Sequence, residues 1–444
     1  MTKKYFGTDG VRGTVGKDPM TADFAMRLAS AAAQVLVPTG GTVVIGKDTR
    51  LSGYMFESAL EAGFVAAGAD VLLLGPLPTP GIAILTQQFD ANLGVVISAS
   101  HNPYYDNGIK FFDSTGSKLT DEVEKKIEEH LNDRAITLES QALGKAKRID
   151  TARIRYQEFC ATSMPAGVDL EGLKVVFDGA NGAGYKVGPR ALGALGAEVI
   201  PIGCSPNGRN INDGCGSTAP DLLTLTVPAV RADVGVALDG DGDRLVMVDE
   251  NGMLVDGDQL LYVLATARKQ KGDLEGPVVG TVMSNLGLER ALNDQSIEFR
   301  RARVGDRYVL ETLRQCGGIL GGETSGHMLV LDKTTTGDGL ICALQILAIM
   351  QETGKPLSEL AAGMPKYPQT MVNVRTATRM DPCDSSELQS AVATAESELA
   401  DRGRVVLRAS GTEPVIRVMV EGEDEKQVVA LANRLASVVA EVSA

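Results

Sequence analysis

Hydrophobic positions along the chain follow a cadence that returns three times. The first unit reads as an apolar run at 42–46 (TVVIG), a helical stretch at 54–67, a run at 71–74 (VLLL) and another at 93–97 (LGVVI). The second repeats this at 174–177 (KVVF), 186–195, 198–202 (EVIPI) and 233–238 (DVGVAL). The third does so at 277–281 (PVVGT), 285–294, 297–302 and 318–320. The repetition is visible in the letters, since GADVLLLG (68–75) parallels GAEVIPIG (196–203). Short continuous apolar runs alternating with helical stretches predict parallel βαβ units whose sheets are covered on both faces. The remainder is different: strand 370–375, helix 385–402, strand 404–408, strand 415–420 and helix 424–441. The stretch 362–369 (AGMPKYPQ), with two prolines, reads as a linker that would let the last unit swing. The expected architecture is three related α/β domains with mainly parallel mixed sheets, plus a smaller C-terminal α+β domain around a central cleft. The expected boundaries are 1–152, 153–253, 254–367 and 368–444, in keeping with about three or four domains for this length.

The last strand of each repeat runs into an unusual polar loop: SASHNP (98–103), DGDGDR (239–244) and GGETSGH (321–327). Ligands of open α/β sheets bind beyond the carboxyl ends of strands, so these loops read as three walls of one cleft. Asp239, Asp241 and Asp243 alternate with glycines that let the backbone curl and turn all three carboxylates inward. Such close carboxylates repel one another unless a hard cation sits among them. An EF-hand is excluded because Arg244 stands at the sixth position, where glycine is required, and strands flank the loop. A magnesium site is the favoured reading, against a merely solvated acidic turn. Ser100 ends its strand among small polar residues without a G-x-S-x-G elbow, which argues against acyl transfer. A phosphorylated serine would carry a charge of about −1.5 to −2 and could complete an open magnesium site; the bland alternative is a plain strand-to-loop turn.

Glu323, Ser325 and His327 alternate along a glycine-framed loop and suit the vicinal hydroxyls of a sugar, or else make a structural turn. RASGTEPVIR (408–417) sets Arg408, Ser410, Thr412 and Arg417 around Gly411, which reads as a phosphate cradle or as a hairpin with solvated arginines. FGTDGVRG (6–13) and GKDTRLSG (46–53) add Arg12, Lys47, Arg50 and Ser52 near the first unit. Of the three histidines, His130 ends an acidic helix and reads as solvated.

Composition narrows the classes. The net charge of −14 argues against nucleic acid or an anionic membrane surface as partner. Six cysteines without C-x-x-C spacing read as free thiols in a reducing compartment. No apolar run approaches the ~18 residues needed to span a bilayer, and the N-terminus lacks a signal-peptide core, so the expected setting is the cytoplasm. Tryptophan is absent, so sugar recognition cannot rest on it.

Taken together, the four loops resemble the α-D-phosphohexomutase superfamily along the whole chain. The resemblance implies a four-domain enzyme of the isomerase class. Ser100 would be its phosphate carrier and, with Asp239, Asp241 and Asp243, would hold one Mg2+. Glu323 and Ser325, with His327 nearby, would read the sugar, and Arg408, Ser410, Gly411 and Thr412 would bind phosphate. FGTDGVRG, SASHNPYYDNGIKFF (98–112), NINDGCGST (210–218), VGDRYV (304–309) and TTGDG (335–339) resemble the branch acting on amino sugars. Thr324 stands where that branch usually has Gln. Asp306 stands where phosphomannomutase-type relatives carry His.

The implied reaction interconverts glucosamine 6-phosphate and glucosamine 1-phosphate, with glucosamine or glucose 1,6-bisphosphate as intermediate or activator. It would feed UDP-N-acetylglucosamine and peptidoglycan precursor synthesis. Lys110 and His101 are both candidates for the general base, and Arg12 and Arg244 could assist. Three alternatives stand beside this reading: a phosphomannomutase or phosphoglucomutase, a non-catalytic sugar-phosphate-binding regulator, and a phosphatase using the same metal loop. A homodimer stays open.

Overall fold

The structure is a computed structural model that describes residues 4–7, 9–377, 380–409 and 414–443. Four sheets organise the described residues. The first carries β1 (Val11–Thr14), β2 (Gly41–Lys47), β3 (Ala69–Pro76), β4 (Leu93–Ile97), β5 (Asp106–Asp113) and β6 (Ala146–Arg148), in the order β1-β5-β4-β2-β3-β6. The second carries β7 (Lys174–Asp178), β8 (Glu198–Ile202), β9 (Val234–Leu238), β10 (Leu245–Val248) and β11 (Leu254–Val255), in the order β11-β10-β9-β7-β8. The third carries β12 (Val278–Thr281), β13 (Phe299–Ala302), β14 (Leu320–Gly322) and β15 (Met328–Val330), in the order β13-β12-β14-β15. The fourth carries β16 (Gln369–Arg375), β17 (Gly403–Ala409) and β18 (Val415–Gly422), entirely antiparallel, in the order β16-β18-β17.

One four-strand motif underlies the first three sheets. Its first strand pairs in parallel with its second on one side and its third on the other, and a fourth strand returns antiparallel beside the third. The three chemically unusual loops therefore occupy the same connection in each repeat: β4 to β5, β9 to β10, and β14 to β15. β14 extends to Gly322, so the first two glycines of GGETSGH belong to the strand rather than to the loop.

The strands β2, β4, β7 and β9 are runs of Val, Ile and Leu buried on both faces, as parallel strands covered by helices require. Helix Gly339–Thr353 is apolar all round, and every residue from Gly339 to Met350 is buried. Asp338 caps its N-terminus, accepting from the Ile341 N–H at 3.0 Å. Its side chains join one core containing Val44, Leu77, Phe177, Leu238 and Leu264, so parts of all three related units share a continuous interior. At about 1.5–3 kcal/mol per buried Leu, Ile or Phe, this shared core is the main tie between the units. The last unit has its own core around Leu388, Val418 and Leu431.

The stretch read as a linker is anchored. The Tyr367 backbone N–H donates to Asn285 Oδ1 at 3.0 Å, its carbonyl accepts from Asn285 Nδ2 at 3.0 Å, and Lys366 pairs with Asp256. Any swing of the last unit is thereby confined to the chain beyond Tyr367. The six cysteines are unpaired, His130 is half-buried beside Asp133, and no helix among the described residues is long and apolar enough to cross a membrane.

Candidate active site

Ser100 sits where the β4–β5 connection leaves the sheet, with φ of +52°. A side chain in this left-handed region costs roughly 1–2 kcal/mol, so its surroundings must hold it there. They do so through the backbone. The Ser100 N–H donates to Ser98 Oγ at 2.9 Å, and its carbonyl accepts from Arg50 Nη2 at 3.1 Å and Asn212 Nδ2 at 2.9 Å. The same two side chains reach the Asn102 carbonyl, at 2.5 and 3.1 Å. Arg50 is fully buried and its charge is met by Asp48. The Ser100 hydroxyl donates to Asp239 Oδ2 at 2.6 Å and lies 3.2 Å from His101 Nδ1. Burial, then the positive charges of Arg244 and Arg12, lower the His101 pKa to about 4, so its ring is neutral near pH 7.

The glycines of DGDGDR make this approach feasible. A Cβ on Gly240 would stand 2.6 Å from the Ser100 carbonyl oxygen, and Gly242 adopts φ of +74°. Asp239, Asp241 and Asp243 are buried, with ligand atoms all within 4.8 Å of one another. Burial, then Asp243 and Asp241, push the Asp239 carboxyl well above the usual range. Asp241 Oδ2 accepts from Thr79 Oγ1 at 2.7 Å and Lys110 Nζ at 2.8 Å. By contrast, Asp241 Oδ1 and Asp243 Oδ1 are buried with no hydrogen-bond partner among the described residues. Orphaned carboxylate oxygens in a mutually repelling trio are costly unless a cation serves them. The donor set, all hard oxygen, fits a divalent metal.

Lys110 is buried and bonded on two sides, to Asp241 and, at 2.9 Å, to Asp9. Burial opposes its charge, but Asp241, Asp9 and Asp243 together hold its pKa above that of an ordinary lysine. Arg12 pairs with Asp9, and Arg244 donates its backbone N–H to Asp239 Oδ1 at 3.2 Å. The Nε atoms of both arginines are buried without a partner among the described residues.

The third wall meets the second through a bridge between Arg244 and His327. His327 is buried, with Nδ1 3.7 Å from Asp243 and Nε2 3.7 Å from Asp306. Glu323 Oε1 accepts the Gly305 N–H at 3.0 Å, and Ser325 is exposed. Thr324 turns the other way and donates to the buried Asp258 at 2.7 Å. The residue that departs from the branch pattern therefore anchors the loop from behind.

Arg408 and Arg417 face each other as a cross-strand pair on β17 and β18. Burial, then Arg417, lower the Arg408 pKa, while the negative charge of Glu323 opposes the shift. Like charges directly opposite each other are unfavourable, and Arg408 Nε has no partner among the described residues. An anion would relieve both. Ser410, Gly411 and Thr412 lie outside the described residues.

Several contributors have no motif of their own. Asp9, Thr79, Lys118 and Asn212 enter the site through contacts between chain segments remote in sequence. The only available signal is that two of them, Asp9 and Asn212, fall in stretches quoted above for the resemblance.

Comparison with known proteins bears on this geometry. The chain matches the phosphoglucomutase/phosphomannomutase family over all four of its parts: alpha/beta/alpha domain I at residues 3–136, domain II at 155–252, domain III at 256–367 and the C-terminal domain at 371–438. It is 57% identical over 437 residues to the phosphoglucosamine mutase of Aeromonas hydrophila, covering 98% of each chain. It is 56% identical over 442 residues to that of Methylococcus capsulatus, covering 99% of each. Among solved structures, a phosphoglucomutase/phosphomannomutase family protein from Burkholderia thailandensis superposes with a TM-score of 0.82 at 24% identity, over 98% of both chains. The N-acetylphosphoglucosamine mutase of Aspergillus fumigatus, solved in complex with GlcNAc-6P and magnesium, superposes with a TM-score of 0.70 at 18% identity, over 100% of this chain and 96% of that one. At these identities the two structures speak to the fold.

Proposed function

The chain belongs to the phosphoglucomutase/phosphomannomutase family, and from that premise we propose that it interconverts glucosamine 6-phosphate and glucosamine 1-phosphate through a phosphate carried on Ser100. The carrying observation is the Ser100 hydroxyl 2.6 Å from Asp239, in a buried carboxylate trio with two oxygens unpartnered among the described residues. The choice of glucosamine among hexoses draws on relatives 56–57% identical over nearly the whole chain. The proposed setting is the cytoplasm, with a hexosamine phosphate as the small-molecule partner.

In the forward direction the P–Oγ bond of phosphorylated Ser100 breaks as a bond forms from phosphorus to the oxygen of the free sugar hydroxyl, whose proton passes to the freed Ser100 Oγ. The bisphosphorylated sugar reorients, its other phosphoryl group returns to Ser100 Oγ, and the proton goes to the newly freed sugar oxygen. Magnesium bound by Asp239, Asp241 and Asp243 would neutralise charge on the phosphoryl oxygens. Lys110, committed to Asp241 and Asp9, fixes the position of a ligand carboxylate and adds positive charge. His101, with Nδ1 3.2 Å from Oγ, is the ring best placed to hold a proton at the reacting oxygen. The unpartnered Nε groups of Arg12 and Arg244 are suited to phosphoryl oxygens. Glu323, Ser325 and His327 orient the sugar. Arg408 and Arg417, with the loop 410–412, grip the phosphate that is not reacting, so that remote binding energy positions the reacting one.

Turnover of glucosamine 6-phosphate, glucose 6-phosphate and mannose 6-phosphate, each with its bisphosphate, tests the sugar. Intact mass tests the carrier: a fraction about 80 Da heavier that disappears in Ser100→Ala supports it. Faster turnover of glucose 6-phosphate than of glucosamine 6-phosphate would move the chain to the phosphoglucomutase reading.

A further inference from the structure

Five charged side chains and the His327 imidazole, from three units, close a ring. Lys110 Nζ lies 2.9 Å from Asp9 Oδ2, and Asp9 Oδ1 lies 2.6 Å from Lys118 Nζ. Lys118 forms a tight ion pair with Asp306. Asp306 lies 3.7 Å from His327, His327 lies 3.7 Å from Asp243, and Asp243 returns to Lys110 at 3.8 Å. Lys118 stands just past β5, bridged to Phe112, and Asp306 opens helix Asp306–Cys316 in the third unit. The Lys118–Asp306 pair is the ring's direct link between the first and third units. The residue before Asp306, Gly305, holds Glu323 by its backbone N–H at 3.0 Å. The turn that Lys118 grips therefore supports two of the three prongs of the sugar-reading loop, Glu323 directly and His327 through Asp306.

Stability does not call for this ring. Desolvating charges offsets most of what pairing them returns, so a buried ionic network is weak evidence for a structural role. The same junction is already clamped one residue on: Arg307 pairs with Asp121 and donates to the Leu119 carbonyl and Glu124 Oε1, both at 3.3 Å. Removing Lys118 leaves that clamp in place, and frees the turn on one side and Asp9 on the other.

We propose that Lys118 is a positioning residue for the proposed reaction, setting Glu323 and His327 through the 304–306 turn and Lys110 through Asp9. The activity arm of its test rests on the mutase reading above. In Lys118→Met, kcat on glucosamine 6-phosphate is expected to fall roughly 10–100-fold, the scale of a misplacement of about 1 Å. KM should change less than about threefold, because the arginine pair that grips the distant phosphate is untouched. Lys118→Arg, which keeps a cation between Asp9 and Asp306, should recover most of the loss. Asp306→Asn should reproduce the defect, and the double variant should be little worse than either single one.

Hydrogen exchange on the free protein gives a readout independent of the substrate. Amides of 304–309 and 321–327 should exchange faster in Lys118→Met, with the helix Gly339–Thr353 unchanged. Wild-type protein inactive on every hexosamine phosphate would remove the mutase reading and leave this proposal to be judged by exchange. Unchanged exchange in both segments together with full kcat would overturn the proposal. So would a uniform rise in exchange with a lowered thermal midpoint and no recovery in Lys118→Arg.

Discussion

Ser100 and the arginine pair of the last unit are both read as phosphate-handling regions, and they are built in opposite ways. Around Ser100 the backbone is held by Arg50, Asn212 and Ser98, the hydroxyl by Asp239, and the neighbouring carboxylate by Lys110 and Thr79. Arg408 and Arg417 stand side by side on an antiparallel sheet, like charge against like, and the Nε of Arg408 has no partner among the described residues. The first region sits where three units share a core; the second belongs to a unit with a core of its own. Groups that make and break bonds must be fixed before the reaction, because reorganising them costs rate. Groups that grip a phosphate and later let it turn around need charge that is not already satisfied.

This contrast can be broken from either side. The largest effect is expected at Ser100: Ser100→Ala should lower mutase turnover by more than about 10^4-fold, the scale for removing a covalent nucleophile, with the thermal midpoint nearly unchanged. Retention of a few per cent of the rate would remove the covalent role. Next comes the metal. Chelation should cost roughly 10^3-fold, several kcal/mol of charge stabilisation. Independently of activity, added magnesium should raise the thermal midpoint of the wild type but not of Asp241→Asn. Arg408→Ala acts on the other region. It should raise KM roughly 10–100-fold, the loss of one or more charge-assisted bonds, while kcat falls less; a fall in kcat at constant KM would erase the distinction drawn here. The smallest effect is expected at Thr324→Val. This leaves Asp258 buried with one donor fewer and should cost about 1–2 kcal/mol of stability, with relative turnover on different hexose phosphates unchanged.

Much of the fold was legible because the strands are unbroken aliphatic runs and the repeats share letters. The antiparallel return strands of the second and third repeats escaped the repeat pattern, since β10 and β15 are only four and three residues long; β5 is eight residues long but interrupts its apolar positions with Asp106, Asn107 and Lys110. In the site, the loops stood out by composition, as with three aspartates among glycines. The side chains that hold those loops did not. Asn212 meets the Ser100 carbonyl across 112 positions, and Lys118 meets Asp306 across 188. Neither periodicity nor spacing encodes which polar residue of one unit will face which of another. In the sequence Arg50 is a basic residue in a short loop; burial makes it a clamp for the backbone on which Ser100 sits. Thr324 drew attention as a departure in a sugar-reading loop, and the alternation of side chains along that loop turned it away from the cleft.

The double hydrogen bond between Asn285 and Tyr367 reaches beyond local order. It shortens the free tether of the last unit to the chain just before β16. A module hung so closely cannot drift away while it relaxes its hold, and its effective concentration at the cleft mouth stays high. A half-finished, doubly phosphorylated sugar that has come loose would thus meet the same arginines again before it meets bulk water.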